Sequence, residues 1–324
     1  MDISLKDRML GGLWGAIVGD ALGVPVEFKD REERKKDPVT DMRGYGTFSQ
    51  PPGTWSDDSS LLLCTAESLI DGFNVARMGE LFVRWFIKGY WTPHGIAFDI
   101  GNSTMSAIRR MMNGTAPETA GGESEHDNGN GSLMRILPVA VYCVRSSPSE
   151  VIDYAHRASA LTHRHYIAQA ACAFYCIMAK ALLQGANPHG AYELTSYVIQ
   201  SYYDKMLFRS ELPFSHFSRL FSGAIDTLPE NEIGSDGFVV HTLEAGVWCL
   251  LNSGSYKEAV LRAVNLGEDT DTTAIVTGGL AGICYGYDAI PQEWIDKIVR
   301  KDDIKKLFER FIEAVNGSLR IPKP

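Results

Sequence analysis

Two short acidic stretches more than two hundred residues apart, Ser56-Asp57-Asp58 and Asp269-Thr270-Asp271-Thr272, are the residues of this chain best suited to chemistry. Together they carry four carboxylates and three hydroxyls, and hard oxygen donors of this kind suit Mg²⁺, Mn²⁺ or Ca²⁺, not zinc. In an extended segment Asp269 and Asp271 would point to one side and Thr270 to the other, giving a two-pronged ligand. Ser56 reads as a helix N-cap, with Asp57 and Asp58 in the first turn and Leu61, Leu62 and Leu63 beyond. Aspartates in a first helical turn also complement the helix dipole, which is sufficient reason for either half alone. The pairing of the two halves favours a metal site.

Other positions offer complementary chemistry. Glu27, in Val24-Pro25-Val26-Glu27-Phe28, is a carboxylate just after an apolar helix, and an exposed loop glutamate is an equally good local reading. Asn128-Gly129-Asn130-Gly131-Ser132 opens onto the apolar run that starts at Leu133 and Met134. A glycine-rich turn at a helix start presents free backbone N–H groups to an anion, although such a loop is often only a turn. His163, in Thr162-His163-Arg164-His165, fits either a binding or a structural role.

Positioning these groups requires helices. Apolar residues recur at helical spacing from Leu5 to Leu22, with Gly11, Gly15 and Gly19 four apart and Gly23 and Pro25 as a stop. So many interior glycines imply close contact with another helix or a ligand-bearing loop. Residues 29–53 read as a long surface loop. Helices are expected near 57–71, 75–88, 100–113, 149–160, 163–183, 187–203, 238–252, 256–266 (opened by Ser255 and Glu258), 291–300 and 303–315, with another following Asp271. The stretch 205–236 is irregular, broken by Pro213, Pro229 and Gly234. No alternating strands, fixed repeat or linker stands out, so residues 1–324 are expected to form one compact, all-α, multi-helix domain.

The balance of 31 basic against 40 acidic residues gives a net charge of -9, which argues against nucleic acid or an anionic membrane held by bulk electrostatics. Any phosphate must be held by local donors. Cys64, Cys143, Cys172, Cys176, Cys249 and Cys284 sit in apolar helical patterns without zinc-site or disulfide spacing, and read as buried free thiols. Asp2, Asp7 and Asp20 argue against a signal peptide, and no uninterrupted apolar run reaches the roughly 18 residues needed to span a bilayer. A cytoplasmic protein, monomeric, is the expectation.

In order along the chain, Gly19-Asp20-Ala21-Leu22-Gly23 with Glu27, Trp55-Ser56-Asp57-Asp58, Asp99-Ile100-Gly101-Asn102, Gly129-Asn130-Gly131-Ser132, Thr162-His163 and Gly267-Glu268-Asp269-Thr270-Asp271-Thr272 resemble the signature blocks of the ADP-ribosylglycohydrolases. The resemblance runs from about residue 8 to about 286. It implies an all-helical domain that binds two divalent cations, Mg²⁺ or Mn²⁺, and hydrolyses the bond between ADP-ribose and a modified protein side chain, arginine or serine, releasing ADP-ribose. By that similarity Ser56, Asp57, Asp58, Asp269, Asp271 and Thr272 are metal ligands, and Glu27 and Asp99 handle protons. Asp99, Gly101 and Asn102 contact the distal ribose or phosphates, Gly129, Asn130, Gly131, Ser132 and Leu133 cradle the diphosphate, and His163 lies along the ADP moiety. Ser56 stands where many members have threonine, and the hydroxyl is retained. The competing readings are a non-catalytic ADP-ribose binder or structural relative, and a two-metal nucleotide phosphoesterase.

Overall fold

The chain begins with the glycine-bearing helix α1 (Leu5–Gly23), whose start is capped by Ser4, the side chain of which accepts the Asp7 N–H at 3.1 Å. A computed structural model describes residues 3–205 and 215–318 of the protein. The expected break at Pro213, like Asp2, lies outside the described residues.

After α1 the α-helices are α2 (Arg31–Lys36), α3 (Asp57–Ser68), α4 (Val75–Lys88), α5 (Asn102–Met112), α6 (Leu137–Tyr142), α7 (Pro148–Ala160) and α8 (Tyr166–Leu183). They continue as α9 (Pro188–Lys205), α10 (Ser218–Phe221), α11 (Val239–Leu251), α12 (Tyr256–Asn265), α13 (Thr270–Tyr285), α14 (Gln292–Lys297) and α15 (Lys301–Ser318). Among the described residues there are only isolated bridges and no β-strand, so the all-α, single-domain expectation holds.

The centre of the fold is α13, which packs against α1, α8, α11 and α12. Its contact with α1 explains the glycine spacing. A Cβ on Gly15 would lie 2.4 Å from the Gly278 carbonyl oxygen, and one on Gly278 would lie 2.2 Å from that of Gly15. Two backbones therefore touch where side chains would normally hold helices 8–10 Å apart. The Tyr256 hydroxyl of α12 donates to the Gly15 carbonyl at 2.8 Å and closes the seam. At its far end, Thr270 Oγ1 donates to the Gly23 carbonyl at 2.8 Å, which fastens the start of α13 to the end of α1.

Several expectations change in detail. The segment 29–53 contains α2, begun by a capping box of Asp30 and Glu33. The helix expected from 100 starts at Asn102, which leaves Asp99 in a loop with a left-handed φ of 59°. The one expected from 163 starts at Tyr166, so Thr162 to His165 form a turn. Asp269 precedes α13 and Asp271 lies in its first turn, so the two-pronged extended arrangement is replaced by a helix start. Five cysteines are buried and Cys284 is partly exposed, all as free thiols. Residues Leu5–Val26 and Tyr166–Leu183 are long and apolar enough to cross a bilayer by length and composition, yet most of each is buried against other helices.

Candidate active site

Helix starts and loops converge on one cavity of about 370 Å³. Twelve of the sixteen expected site residues line it: Glu27, Asp57, Asp58, Asp99, Gly101, Asn102, Gly129, Asn130, Gly131, His163, Asp269 and Thr272. Phe28, Ile100, Ser103, Thr104, His126, Met134 and Gly237 complete the wall. Asp271 lies just behind it, its carboxylate within 4.8 Å of those of Glu27 and Asp99. Glu27 is only 4 % exposed, which excludes the exposed-loop reading.

Each arm of the acidic end has an identifiable support. Glu27 leads into a backbone clamp in which the Phe28 N–H donates to the Glu268 carbonyl and the Glu268 N–H to the Lys29 carbonyl, both at 2.7 Å. That clamp ties Glu27 to the segment carrying Asp269. Gly23 permits the approach, because a Cβ there would lie 2.4 Å from the Asp271 backbone N and Cα. Ser56 caps α3 as expected, its side chain accepting the Asp58 N–H at 3.2 Å. Asn130 Nδ2 donates to Asp269 Oδ2 and to Thr242 Oγ1, each at 2.9 Å.

Asp20 is a support that the residue pattern did not assign. Fully buried on α1, it accepts the Ser56 N–H at 3.0 and 3.2 Å, the Ser59 N–H at 3.0 Å and the Ser59 hydroxyl. A carboxylate from one helix thus caps the start of another, where the N–H groups have no partner within their own helix. Burial pushes its pKa up to about 6, against the pull of these hydrogen bonds. The signal was in the sequence as Gly19-Asp20, an acid inside an otherwise apolar helix.

The electrostatics are one-sided. Asp57, Asp58 and Asp271 are held well above the usual carboxylate range, first by burial and then by one another and by Asp20, Glu27, Asp99 and Asp269. Glu27 is likewise pushed up by burial and by Asp99, Asp269 and Asp57, and Asp99 and Asp269 are raised chiefly by burial. Among the described residues, no lysine, arginine or histidine stands among the groups that lower them. Four buried oxygens, Glu27 Oε2, Asp58 Oδ2, Asp269 Oδ1 and Asp271 Oδ2, have no hydrogen-bond partner. Buried, mutually repelling carboxylates with vacant lone pairs are the donor set of a hard divalent cation.

Beside Asp269, the glycine-rich loop is partly consumed by its own structure. The N–H of Asn130 donates to the Gly237 carbonyl, and those of Leu133 and Met134 to the Asn130 carbonyl. Gly129 and Gly131 remain at the cavity surface, and a Cβ on Gly131 would come within 2.9 Å of His163 Cε1 and of Thr104 Oγ1. Ser132 and Leu133 lie outside the wall: the Ser132 hydroxyl accepts from Ser159 at 2.8 Å, and Leu133 is in the core.

The whole of this architecture has known counterparts. The family model for ADP-ribosylglycohydrolase matches residues 1–319. This chain belongs to the ADP-ribosylglycohydrolase family. It is 33 % identical over 313 residues to ADP-ribosylarginine hydrolase Tri1 of Serratia proteamaculans, covering 94 % of this chain and 78 % of that one. It is 29 % identical to the ADP-ribosyl-[dinitrogen reductase] glycohydrolase of Rhodospirillum rubrum, with 96 % of each covered. Among solved structures, the ADP-ribosylglycohydrolase-related protein complex superposes with a TM-score of 0.79 at 29 % identity, over 96 % of this chain and 99 % of that one. The protein is therefore an ADP-ribosylglycohydrolase, a glycosidic-bond hydrolase, and the cavity with its acidic end is the candidate active site of that activity.

Proposed function

We propose that this ADP-ribosylglycohydrolase removes ADP-ribose from arginine side chains of proteins, that it depends on two divalent cations, Mg²⁺ or Mn²⁺, and that it works in the cytoplasm. The arginine linkage is supported by its relatives of 33 % and 32 % identity, both named ADP-ribosylarginine hydrolases. The observation that carries the cation requirement is the cluster of buried carboxylates with vacant oxygens and, among the described residues, no compensating positive charge. Asp57, Asp58, Asp269 and Asp271, with Ser56 and Thr272, would hold the ions. When bound, such ions supply Lewis-acid grip on vicinal hydroxyls and on water.

The chain's own residues divide the remaining work. Glu27 and Asp99 stand on loops that flank the cavity while Asp271 stands at a helix start behind them, so the first two are the groups able to exchange protons with a water and with the departing nitrogen. Gly101 and Asn102, at the start of α5, and Gly129 with Gly131 offer polar backbone to the ribose and diphosphate. The walls keep bulk water from the anomeric carbon as it gains oxocarbenium character.

The test is incubation of the purified protein with arginine-linked and serine-linked ADP-ribosyl proteins, with and without chelator. Cation-dependent release of intact ADP-ribose from the arginine linkage is expected. Release from serine alone overturns the linkage, release of AMP indicates a phosphoesterase, and full activity in chelator removes the cation from the scheme. Asp57→Ala and Asp271→Ala are each expected to abolish release with helical content nearly intact.

A further inference from the structure

Just beyond the glycine-rich loop lies an arginine that neither the acidic end nor the loop accounts for. Arg135 is 0 % exposed and forms no ion pair with any described carboxylate. Its Nη2 donates to the Ala158 carbonyl at 3.1 Å and to Thr162 Oγ1 at 2.8 Å, its guanidinium carbon stands 4.7 Å from the centre of the Phe82 ring, and Nε and Nη1 have no partner. An isolated buried cation is destabilising unless something else requires it.

The next link leads to the cavity. Thr162 Oγ1 lies 2.8 Å from His163 Nδ1. An arginine N–H can only donate, so the threonine oxygen accepts from Arg135. The hydroxyl proton then satisfies itself by donation to Nδ1, which must be an unprotonated acceptor. The alternative, donation from Nδ1–H to the same oxygen, would strand the hydroxyl proton in a fully buried place. A neutral imidazole with a bare Nδ1 carries its proton on Nε2, and the Nε2 side of the ring faces Gly129 and Gly131, 3.6 and 3.4 Å from where their Cβ atoms would be. Burial and the Arg135 charge both hold the His163 pKa far down, to about 3, against the opposing charge of Asp127, so the ring stays neutral. The Asp127 carboxylate accepts from Ser103 and from Ser124.

We propose that Arg135 and Thr162 form a buried relay that locks His163 as its Nε2–H tautomer, a fixed hydrogen-bond donor for the diphosphate of the bound ADP-ribosyl group. The proposal rests on the ADP-ribosyl reading above for the identity of the acceptor. Arg135 and Thr162 are positioning residues that act through His163. Arg135 also sets a buried positive charge behind His163, one wall of the cavity. In a chain of net charge -9 this is how an anion is favoured without surface basic residues.

The experiment is ¹⁵N NMR of histidine-labelled full-length protein, assigned with His163→Gln, together with calorimetric titration of ADP-ribose. Wild type is expected to show His163 Nε2 protonated and Nδ1 bare from pH 6 to 8. Thr162→Val, nearly isosteric, is expected to lose the single tautomer and to weaken ADP-ribose binding roughly tenfold, the loss of one hydrogen bond to a charged group. Thr162→Ser is expected to restore both. Arg135→Met is expected to weaken binding without lowering the unfolding midpoint, whereas a purely structural arginine would do the reverse. Protonated Nδ1 in wild type, or unchanged affinity in Thr162→Val, overturns the relay. Failure of wild type to bind ADP-ribose counts against the functional reading instead, and the tautomer signal then decides the relay separately.

Discussion

Substituting Gly15 by alanine tests whether the α1–α13 seam sets the geometry of the active site. The added Cβ would stand 2.4 Å from the Gly278 carbonyl oxygen, 2.9 Å from Tyr256 Cε2 and 3.2 Å from Gly282 Cα. Ordinary contact begins at 3.4 Å, so the seam must open by about 1 Å (3.4 less 2.4). Two of the three obstacles are backbone and cannot rotate away. Overpacking of this kind costs about 1–3 kcal/mol, which for a chain of this size lowers the thermal midpoint by roughly 1.5–4.5 °C. The functional effect reaches further, because α1 leads to Glu27 and α13 carries Asp271 in its first turn, and the two carboxylates lie within 4.8 Å of each other. A displacement of about 1 Å far from the chemistry can lower turnover roughly 100-fold. The assays are thermal unfolding by circular dichroism and release of ADP-ribose from an arginine-linked substrate. Gly317→Ala is the control: Gly317 is exposed on α15 with nothing within 4 Å of its Cβ position, and should hold or slightly raise the midpoint. A Gly15→Ala protein with wild-type midpoint and turnover would refute the idea that direct backbone contact positions the carboxylates.

Three further outcomes are expected. Asp20→Asn places an amide against the N–H groups of Ser56 and Ser59, and should cost about 2–4 kcal/mol in unfolding free energy while weakening Mn²⁺ binding measured by calorimetry; unchanged Mn²⁺ affinity would show that Asp20 does not position Asp57 and Asp58. Saturating Mg²⁺ or Mn²⁺ should raise the unfolding free energy by about 2.7 kcal/mol at a hundredfold excess over Kd, and Asp271→Ala should remove most of that gain. His156, half-buried with Nε2 2.7 Å from the Tyr203 hydroxyl, has its pKa lowered by burial to about 4. Because the unfolded chain then binds the extra proton, stability is lost as pH falls from about 6.5 towards 4, by up to about 3 kcal/mol before discounting for its residual exposure; the difference between wild type and His156→Gln, followed by denaturant titration at several pH values, should shrink over that window.

Much of the fold was readable from local pattern because helices declare themselves locally. Caps such as Ser56 and the Ser255–Glu258 pair, and the apolar period of α4 and α8, depend on residues within a few positions of one another. The role of Glu27 was not readable this way. Whether it is exposed depends on the clamp between Phe28 and Glu268, residues 240 positions apart. Asn130 illustrates the same limit: its type suited an anion cradle, but its amide is engaged by Asp269 and Thr242. Asp20 interrupts an apolar stretch of sequence, and only the fold brings the Ser56 and Ser59 N–H groups onto its oxygens.

What the sequence determined by itself was the inventory: which carboxylates, glycines and hydroxyls exist, which helices carry them, and through the ordered motifs, which family they form. Tertiary structure alone decided their electrical state and orientation. Seven acids repel one another only because α1, α3, α13 and two loops bring them into one buried volume, and His163 presents a proton to the cavity only because Arg135 and Thr162 stand behind it. Pattern follows from neighbours along the chain, whereas pKa, tautomer and vacant lone pairs follow from neighbours in space, where burial removes the water that would otherwise screen them.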